Sequence, residues 1–355
     1  MLTYKFRLYP TKYQQEILWW QSKCLNHLYN FFLNLKINTY QDYNITLSKP
    51  DLDKILTSIK KYNPEYYKIH SQVLQQPSRR LDQAFKNFFN SNFGFPKFRS
   101  SRYFFGITYP QGGYEINKNS VMFKNIGTIK CKFHKEIQGN IKEIKIKRHD
   151  DNTWYVCITT DKLMMCNITH TSIGIDLGIT KFATLNDGSY YPKLKDISYF
   201  DKQINKLKSR RDKLCKRYSR KYKKLSLRIQ RLYVVKNRKI NDFLHKVSRY
   251  LSNHYDTIIV EDLKVKKMSE SKAVGLNREI RNVCWSRFID FLEYKTYNLI
   301  KVNPAYTSKK CSSCGKIHNL TLKDRIMNCS CGLLLDRDHN AAINIHCQGL
   351  ALLNK

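Results

Sequence analysis

One acidic side chain lies in an otherwise apolar stretch of this chain. Asp176 is flanked on both sides by aliphatic residues within residues 171–184. An unpaired charge in a half-buried strand is costly, and a bound divalent cation would offset that cost. A carboxylate on the solvent face of an edge strand needs no such partner, so this stretch alone leaves both interpretations open. The later turn signal Asn186-Asp187-Gly188 predicts a hairpin.

Four cysteines form two close pairs near the C-terminal end. They are Cys311 and Cys314, spaced C-x-x-C, and Cys329 and Cys331, spaced C-x-C. Two such pairs predict a four-thiolate site, and sulfur ligands favour zinc over magnesium. The second pair is tighter than the usual spacing. A site closed by four thiolates would make the zinc structural.

Two further carboxylates stand where they could join Asp176. Glu261 follows the apolar run at residues 257–260, and Asp338 precedes the apolar residues of a predicted helix. Asp338 could equally serve as the helix N-cap, a position that aspartate favours. Hydrolysis of a phosphodiester by two magnesium ions needs several carboxylates from distant parts of a chain. We therefore predict Asp176, Glu261 and Asp338 as catalytic residues and magnesium ligands.

The composition indicates a folded protein with a polyanionic partner. The 355 residues carry a formal net charge of +36, from 64 Lys plus Arg against 28 Asp plus Glu. Nucleic acid is the first candidate to compensate this charge, and an anionic membrane is the second. No uncharged apolar run approaches the length of a membrane span, and the N-terminus does not resemble a signal peptide. We expect a cytoplasmic protein with no membrane partner and no small-molecule substrate.

The first half of the chain predicts helices followed by strands. A short strand is expected over residues 1–9, with helices over 14–36, from Ser48 onward and over 71–90. Pro77 should kink or shorten the third helix. Short β-like runs between residues 102 and 165 predict a compact β-barrel, which the N-terminal strand could join.

The second half combines a basic helical stretch with elements of an α/β domain. Residues 202–239 predict a long helix or helical hairpin whose cations could contact phosphates, although such a face can simply be solvated. Residues 257–260 predict a buried strand. The spacing of Trp285, Phe288, Ile289, Leu292 and Tyr297 predicts an amphipathic helix from residue 285 to residue 299.

Several motifs taken together resemble the transposon-encoded TnpB proteins, relatives of the compact type V CRISPR effectors. The resemblance covers nearly the whole chain. It includes Lys-Phe-Arg-Leu-Tyr-Pro at 5–10, Gly-Phe-Pro-Lys-Phe at 94–98 and Gly-Ile-Asp-Leu-Gly at 174–178. It continues with Val-Glu-Asp-Leu at 260–263, Thr-Ser at 307–308, and Asp-Arg-Asp-His-Asn-Ala-Ala at 336–342.

The resemblance implies a multidomain α+β fold. Its parts would be a wedge-like β-barrel from residues 1–9 and 93–168, and a helical recognition module at 10–92. A RuvC-like nuclease domain of the RNase H fold would comprise 169–306 and 335–355. A zinc ribbon that contacts the target nucleic acid would occupy 307–334.

The resemblance also implies an activity and its partners. The protein would be a metal-dependent DNA endonuclease, guided by an RNA from the transposon end and by a short motif beside the target. Its partners would be the guide RNA and double-stranded and single-stranded target DNA, and it would act as a monomer at the bacterial nucleoid. The alternatives are a guided DNA-binding repressor with little or no cleavage, or a transposase acting on transposon ends. An actin-like ATPase is disfavoured because no second glycine-rich phosphate loop follows Gly178.

Overall fold

The computed structural model describes residues 1–90, 93–149, 151–162, 168–214, 216–217, 219–268, 274–321 and 324–353. The chain divides into two compact units, Met1–Leu163 and Met164–Lys355. The predicted division into four domains is finer than this and stays a prediction. None of the helices in the described ranges combines the length and apolar character of a membrane span.

The N-terminal unit contains one antiparallel sheet of seven strands. Their order across the sheet is β2-β6-β7-β1-β5-β4-β3. The Tyr109 ring on the edge strand β2 lies 5.3 Å from the Phe123 ring on β4, measured between centroids, so the sheet curls into a nearly closed barrel. The strands are β1 (Leu2–Tyr9), β2 (Ile107–Tyr109), β3 (Tyr114–Asn117), β4 (Ser120–Phe123), β5 (Gly127–Lys132), β6 (Ile141–Arg148) and β7 (Trp154–Thr160).

Helices lie between β1 and β2 in the sequence and share the core of the barrel. They are α1 (Lys12–Tyr43), α2 (Lys49–Tyr62), a 3-10 helix (Pro64–Lys68), α3 (Ser71–Leu74) and α4 (Gln76–Asn90). Ser48 caps α2 through a hydrogen bond from the Asp51 backbone, as the sequence predicted. The helix expected over 71–90 is divided at Gln75. Pro77 is the second residue of α4, where its missing N–H costs nothing.

The C-terminal unit is built around a mixed sheet of five strands in the order β10-β9-β8-β11-β12. The strands are β8 (Ser172–Asp176), β9 (Lys181–Leu185), β10 (Tyr190–Pro192), β11 (Thr257–Glu261) and β12 (Asn298–Val302). The pairs on the β10 side of β8 are antiparallel, whereas β8, β11 and β12 run parallel. The Asp187-Gly188 turn joins β9 to β10, which pair antiparallel, so the hairpin predicted at this turn is confirmed.

Helices and a small hairpin complete the C-terminal unit. They are α5 (Ile197–Leu214), α6 (Arg220–His254), α7 (Val265–Met268), α8 (Val274–Val283), α9 (Trp285–Glu293), β13 (Ile326–Asn328), β14 (Leu334–Asp336) and α10 (Arg337–Leu353). The basic stretch is therefore a helical hairpin. The predicted helix 285–299 ends early because Leu299 pairs with Ile258 in the sheet, and Tyr297 is exposed instead of buried. Pairing with β11 outweighs the helical periodicity.

Candidate functional site

Two of the predicted carboxylates end neighbouring parallel strands. Asp176 is the last residue of β8 and Glu261 the last residue of β11. The strands are paired with Ile175 opposite Val260, so the two acids leave the sheet at the same edge. Adjacent strands lie about 4.8 Å apart. Sequence positions 85 residues apart therefore become neighbours through strand pairing alone.

Helix α10 brings the third carboxylate to this edge. A Cβ atom on Gly174 would lie 2.5 Å from the Ala342 carbonyl oxygen, and one on Gly349 would lie 2.4 Å from the Ile259 side chain. The helix thus contacts β8 and β11 directly, and a larger residue at either glycine would push it away. This contact fixes the first turn of α10, which carries Asp338, over the strand ends.

Asp336, the last residue of β14, caps α10. Its carboxylate accepts hydrogen bonds from the backbone N–H of Asp338 at 2.9 Å and of His339 at 3.2 Å. It also receives a hydrogen bond from Lys181 at 2.9 Å. The alternative role of Asp338 as N-cap is therefore wrong. Its carboxylate is left for other contacts and lies 3.7 Å from the Arg337 guanidinium.

The carboxyl groups at this edge influence each other's ionisation. Burial raises the pKa of Asp176 well above its usual range, and the negative charges of Glu261 and Asp338 raise it further. Burial also raises the pKa of Glu261, against a hydrogen bond from the Thr307 hydroxyl that favours the charged form. Glu261 is 8% exposed. The Arg337 charge lowers the pKa of Asp176, but burial and the neighbouring acids outweigh it. Crowded acids whose repulsion is only partly compensated are typical of a site that binds a cation.

The carboxylate oxygens of the three acids lie farther apart than the sulfurs of the four cysteines. Among the described residues, the four cysteines are the group whose ligand atoms all lie within 4.8 Å of one another. Carboxylates that share two ions about 3.5–4 Å apart surround a larger volume than ligands of one ion. Hard oxygen donors of this kind suit Mg²⁺.

The four cysteine sulfurs form a compact cluster that could hold a metal ion such as zinc. The Sγ atoms of Cys311 and Cys331 are 3.7 Å apart, and those of Cys314 and Cys329 are 3.5 Å apart. Tetrahedral zinc with Zn–S bonds of about 2.3 Å separates its sulfurs by about 3.8 Å. The tighter C-x-C pair therefore reaches the same geometry as the C-x-x-C pair.

Each pair of cysteines lies in a tight turn, called a knuckle here. Backbone N–H groups of the two knuckles favour the thiolate form, which binds a cation. A hydrogen bond from the Leu333 N–H lowers the pKa of Cys331 to about 6. The Lys316 N–H has the same effect on Cys314, but the neighbouring Cys329 and Cys331 side chains outweigh it and raise the pKa of Cys314 to about 11. Four neighbouring thiols cannot all ionise unless a positive ion joins them.

Three residues to which the sequence analysis assigned no role connect the cysteine cluster to the acids. The Thr307 hydroxyl donates to a Glu261 carboxylate oxygen. Asn340 and Asn344, one turn apart on α10, hydrogen-bond the backbone between Thr307 and Ser312. Asn340 belongs to the motif at 336–342 and Asn344 follows it by two residues. Nothing in their spacing indicates that these amides are buried and bridge two segments.

The N-terminal unit contains a separate basic cleft of about 610 Å³. None of its described lining residues is acidic. Arg80 lies 4.0 Å from the centroid of the Phe105 ring and donates to the Gly106 carbonyl oxygen. Burial lowers the pKa of Arg80 to about 10, and the charge of Arg99 adds to this effect. The cationic lining consists of Arg80, Arg99, Lys145, Lys147 and Arg148, and His149 also lines the cleft.

Three family profiles match separate parts of the chain. Residues 157–272 match the family described as "Probable transposase" (OrfB_IS605), and residues 285–345 match "Cas12f1-like, TNB domain". Residues 1–44 match a family described as "Helix-turn-helix domain". In this structure residues 1–44 form β1 and the single continuous helix α1, with no turn between two helices. Together the profiles match more than half of the chain.

Curated relatives carry consistent names. "Putative RNA-guided DNA endonuclease InsQ" of Escherichia coli is 31% identical over 69% of this chain, which spans 65% of the relative's length. "Putative RNA-guided DNA endonuclease" of Streptomyces pristinaespiralis is 27% identical over 98% of this chain and 89% of its own length. "TnpB-like protein L79" of Acanthamoeba polyphaga mimivirus is 33% identical over 50% of this chain and 37% of its own length.

A solved structure shares the fold. The chain superposes on a protein chain of the "Cryo-EM structure of the Cas12f1-sgRNA-target DNA complex" with a TM-score of 0.58. The match covers 94% of this chain and 83% of that one at 17% identity, which supports a common α+β multidomain fold. With the profile matches and the curated relatives, it confirms the predicted resemblance. The chain is similar to the TnpB proteins of IS605-type transposons.

Proposed function

We propose that this protein is an RNA-guided DNA endonuclease of a transposon, and that it hydrolyses target DNA at Asp176, Glu261 and Asp338. The observation that carries the proposal is the meeting of these acids at one sheet edge. Two of them end adjacent parallel strands and the third begins a helix packed on those strands. The names of the relatives give the reaction class.

The sheet around these acids supports a RuvC-like domain of the RNase H fold. Three antiparallel strands are extended by two parallel strands, and α10 packs across β8 and β11. This arrangement matches what the family resemblance implies for residues 169–306 and 335–355. We propose the segment 307–334 as a zinc ribbon, because its sulfurs fit one tetrahedral ion.

The residues of the acidic site would divide the work of hydrolysis. When bound, two Mg²⁺ ions would activate a water molecule and stabilise the leaving oxygen. The charges of Glu261 and Asp338 both raise the pKa of Asp176, so Asp176 is close to both acids. It would therefore contact both ions. Glu261 is held on one oxygen by Thr307, which leaves the other oxygen for a ligand. Asp338 would approach from the helix side.

Guide RNA and DNA are the proposed partners, in keeping with the charge of the chain. In a guided enzyme, base pairing reads the sequence while the protein contacts backbone and shape. The basic cleft of the N-terminal unit offers cations without a described acid among its lining residues, and phosphates would fit there. The same cleft would serve a guided repressor that does not cut, so cleavage itself must be measured.

The experiment combines the purified full chain with the RNA that copurifies with it, identified by sequencing. Asp176→Ala should lower Mg²⁺-dependent cleavage of a matched DNA target by about 10³-fold or more, while RNA binding is unchanged. Asp290→Ala, an exposed acid on α9, is the control and should cleave normally.

Each alternative gives a distinct result. Cleavage by Asp176→Ala at the normal rate would reject the acidic site. Guided DNA binding without cleavage by the unmodified protein would indicate a repressor, and strand transfer on bare transposon ends would indicate a transposase.

A further inference from the structure

A short segment after β12 lies between Glu261 and helix α10. Its central residue, Thr307, is 3% exposed. The Thr307 hydroxyl contacts both a Glu261 carboxylate oxygen and, at 3.2 Å, the Pro304 carbonyl oxygen. A hydroxyl has one proton, and the contact to the carboxylate is the shorter and the stronger because it is charge-assisted. Thr307 therefore fixes the position of one Glu261 oxygen.

The backbone of the same segment is held by two buried amides of α10. Asn344 donates to the carbonyl oxygens of Thr307 at 2.8 Å and of Lys310 at 2.6 Å. Asn340 donates to Lys310 O at 2.8 Å and accepts from the Ser312 N–H at 2.9 Å. Asn340 is fully buried, so the loss of these bonds would leave polar groups unpaired.

The anchored residues also belong to the first cysteine knuckle. Lys310 and Ser312 flank Cys311, and Lys310 forms an isolated bridge with Ile317 across the knuckle. The Cys311 N–H donates to the Lys316 carbonyl oxygen at 2.8 Å. The conformation that places Cys311 among the other cysteines is therefore the one that presents Lys310 and Ser312 to α10.

The helix that anchors the knuckle also carries Asp338. Asn340 and Asn344 follow this acid by two and six residues on α10. One helix thus contacts the segment at 307–312 through its amides and the strands β8 and β11 through its later turns, where Gly174 and Gly349 allow close approach. Glu261 is reached from the other end of the segment, through Thr307.

We propose that Thr307 is a positioning residue for Glu261, and that the metal-bound cysteine cluster holds Thr307 in place through Asn340 and Asn344. The inference rests on the proposed function, because it assigns Glu261 a metal to bind. It predicts that a structural ion at the cysteines sets the affinity of the acids for their own ions. Residues outside the first coordination shell commonly change metal affinity by about 10–100-fold.

The test uses the full chain with its RNA and three variants. Thr307→Val removes the donor at nearly constant volume, and Thr307→Ser keeps it. Thr296→Val is the matched control, since Thr296 is also buried and its hydroxyl, just after the end of α9, donates to the Leu292 carbonyl oxygen. Mn²⁺ binding, followed by electron paramagnetic resonance without DNA, gives a readout independent of cleavage. The Mg²⁺ concentration for half-maximal cleavage gives a second.

Thr307→Val should weaken Mn²⁺ binding and raise the Mg²⁺ requirement by about 10-fold or more. Thr307→Ser should restore most of the affinity, and Thr296→Val should match the unmodified protein. Equal metal affinity in Thr307→Val and the unmodified protein would overturn the role of Thr307. If Asp176→Ala is inactive in the same assay, that result leaves the proposed function intact. If Asp176→Ala cleaves normally, the proposed function itself fails.

A second arm tests the cysteine cluster. Cys314→Ser, checked for zinc content and for thermal unfolding, should bind Mn²⁺ more weakly than the unmodified protein. Combined with Thr307→Val, it should add less than its separate effect, because both changes break the same connection. Fully additive effects, or unchanged Mn²⁺ affinity in a folded zinc-free protein, would overturn the coupling. Should Cys314→Ser fail to fold, the Thr307 variants still decide the positioning role.

Discussion

At the scale of single residues, the raised pKa of Asp176 indicates a role in binding a ligand and not in stabilising the fold. A carboxyl group whose pKa is raised on folding stabilises the fold at low pH and loses that contribution as the pH rises through the raised value. The described residues offer this carboxylate no hydrogen-bond donor that would offset the loss. A buried carboxyl group that costs stability when it is charged is better explained by a role in binding a cation than by a role in stabilising the fold.

Lys295, a buried cation in the same unit, also has a pKa shifted by burial, but it lies outside the candidate ligand sites. Lys295 is 4% exposed and donates to the Ser248 hydroxyl at 2.6 Å and toward His245 Nδ1 at 3.2 Å. Burial lowers its pKa from 10.5 to about 8, and the charge of Arg249 adds to this effect. The unfolded chain would hold this proton up to about pH 10.4.

We therefore predict a pH-dependent difference in stability between the unmodified protein and Lys295→Met. Between about pH 8 and pH 10 the unfolded chain binds the Lys295 proton and the folded chain does not, so stability rises with pH. The free energy of unfolding of the unmodified protein should increase relative to the variant by up to roughly 1.4 kcal/mol per pH unit. Urea unfolding across this range measures it. A constant difference would show that the pKa is ordinary.

At the scale of elements, the packing of α10 on β8 decides whether the acids meet. Gly174 lies two residues before Asp176, at the point where the helix backbone comes closest to the strand. Its role in the Gly-Ile-Asp-Leu-Gly motif is thus to admit the helix. The motif thus combines a predicted metal ligand, Asp176, with a glycine, Gly174, that leaves space for α10.

Gly174→Ala should therefore impair cleavage more than it impairs folding. The new methyl group would lie 2.5 Å from Ala342 O and 2.6 Å from His346 Cβ, and α10 must shift to relieve these contacts. Overpacking of this kind costs about 1–3 kcal/mol of stability. Because the shift moves Asp338, cleavage should fall by at least about 10²-fold.

Thermal unfolding and cleavage rates of Gly174→Ala would be compared with those of Gly112→Ala. A Cβ atom at Gly112 meets nothing within 4 Å. Normal cleavage by a stably folded Gly174→Ala protein would contradict the packing argument.

At the scale of the whole molecule, the net charge of +36 favours binding to a polyanion. The cleft lined by Arg80, Lys145 and Lys147 would place several cations near phosphates. Binding of RNA releases counterions, with a slope of log K against log salt of about −0.7 per phosphate neutralised on a single strand.

The double variant Lys145→Ala and Lys147→Ala should therefore weaken RNA binding and make this slope less steep by about 1–1.5. The control is Lys54→Ala with Lys61→Ala, two exposed cations of α2 that do not line the cleft. Titrations at several salt concentrations measure both slopes. Equal slopes in the two double variants would show that the cleft is not a phosphate site.

Local patterns anticipated much of the secondary structure and failed where distant elements compete. Ser48 started α2 as expected because capping involves neighbours within one turn. The helix predicted to continue to Leu299 ends at Glu293, because residues 298–302 pair in parallel with β11, about 40 residues earlier in the chain. The aspartate that caps α10 is Asp336 instead of Asp338, a distinction that depends on hydrogen-bond geometry.

By itself, the sequence determined the parts of this protein that depend on residue type and short spacing. These are the cysteine pairs, the acids beside apolar runs, the basic helical stretch and the family motifs. Only the tertiary structure decided which side chains meet. The pairing of β8 with β11, the access that Gly174 allows to α10, and the bridge from Thr307 to Asn344 join residues distant in the chain. Such contacts depend on packing in three dimensions, which no local spacing encodes.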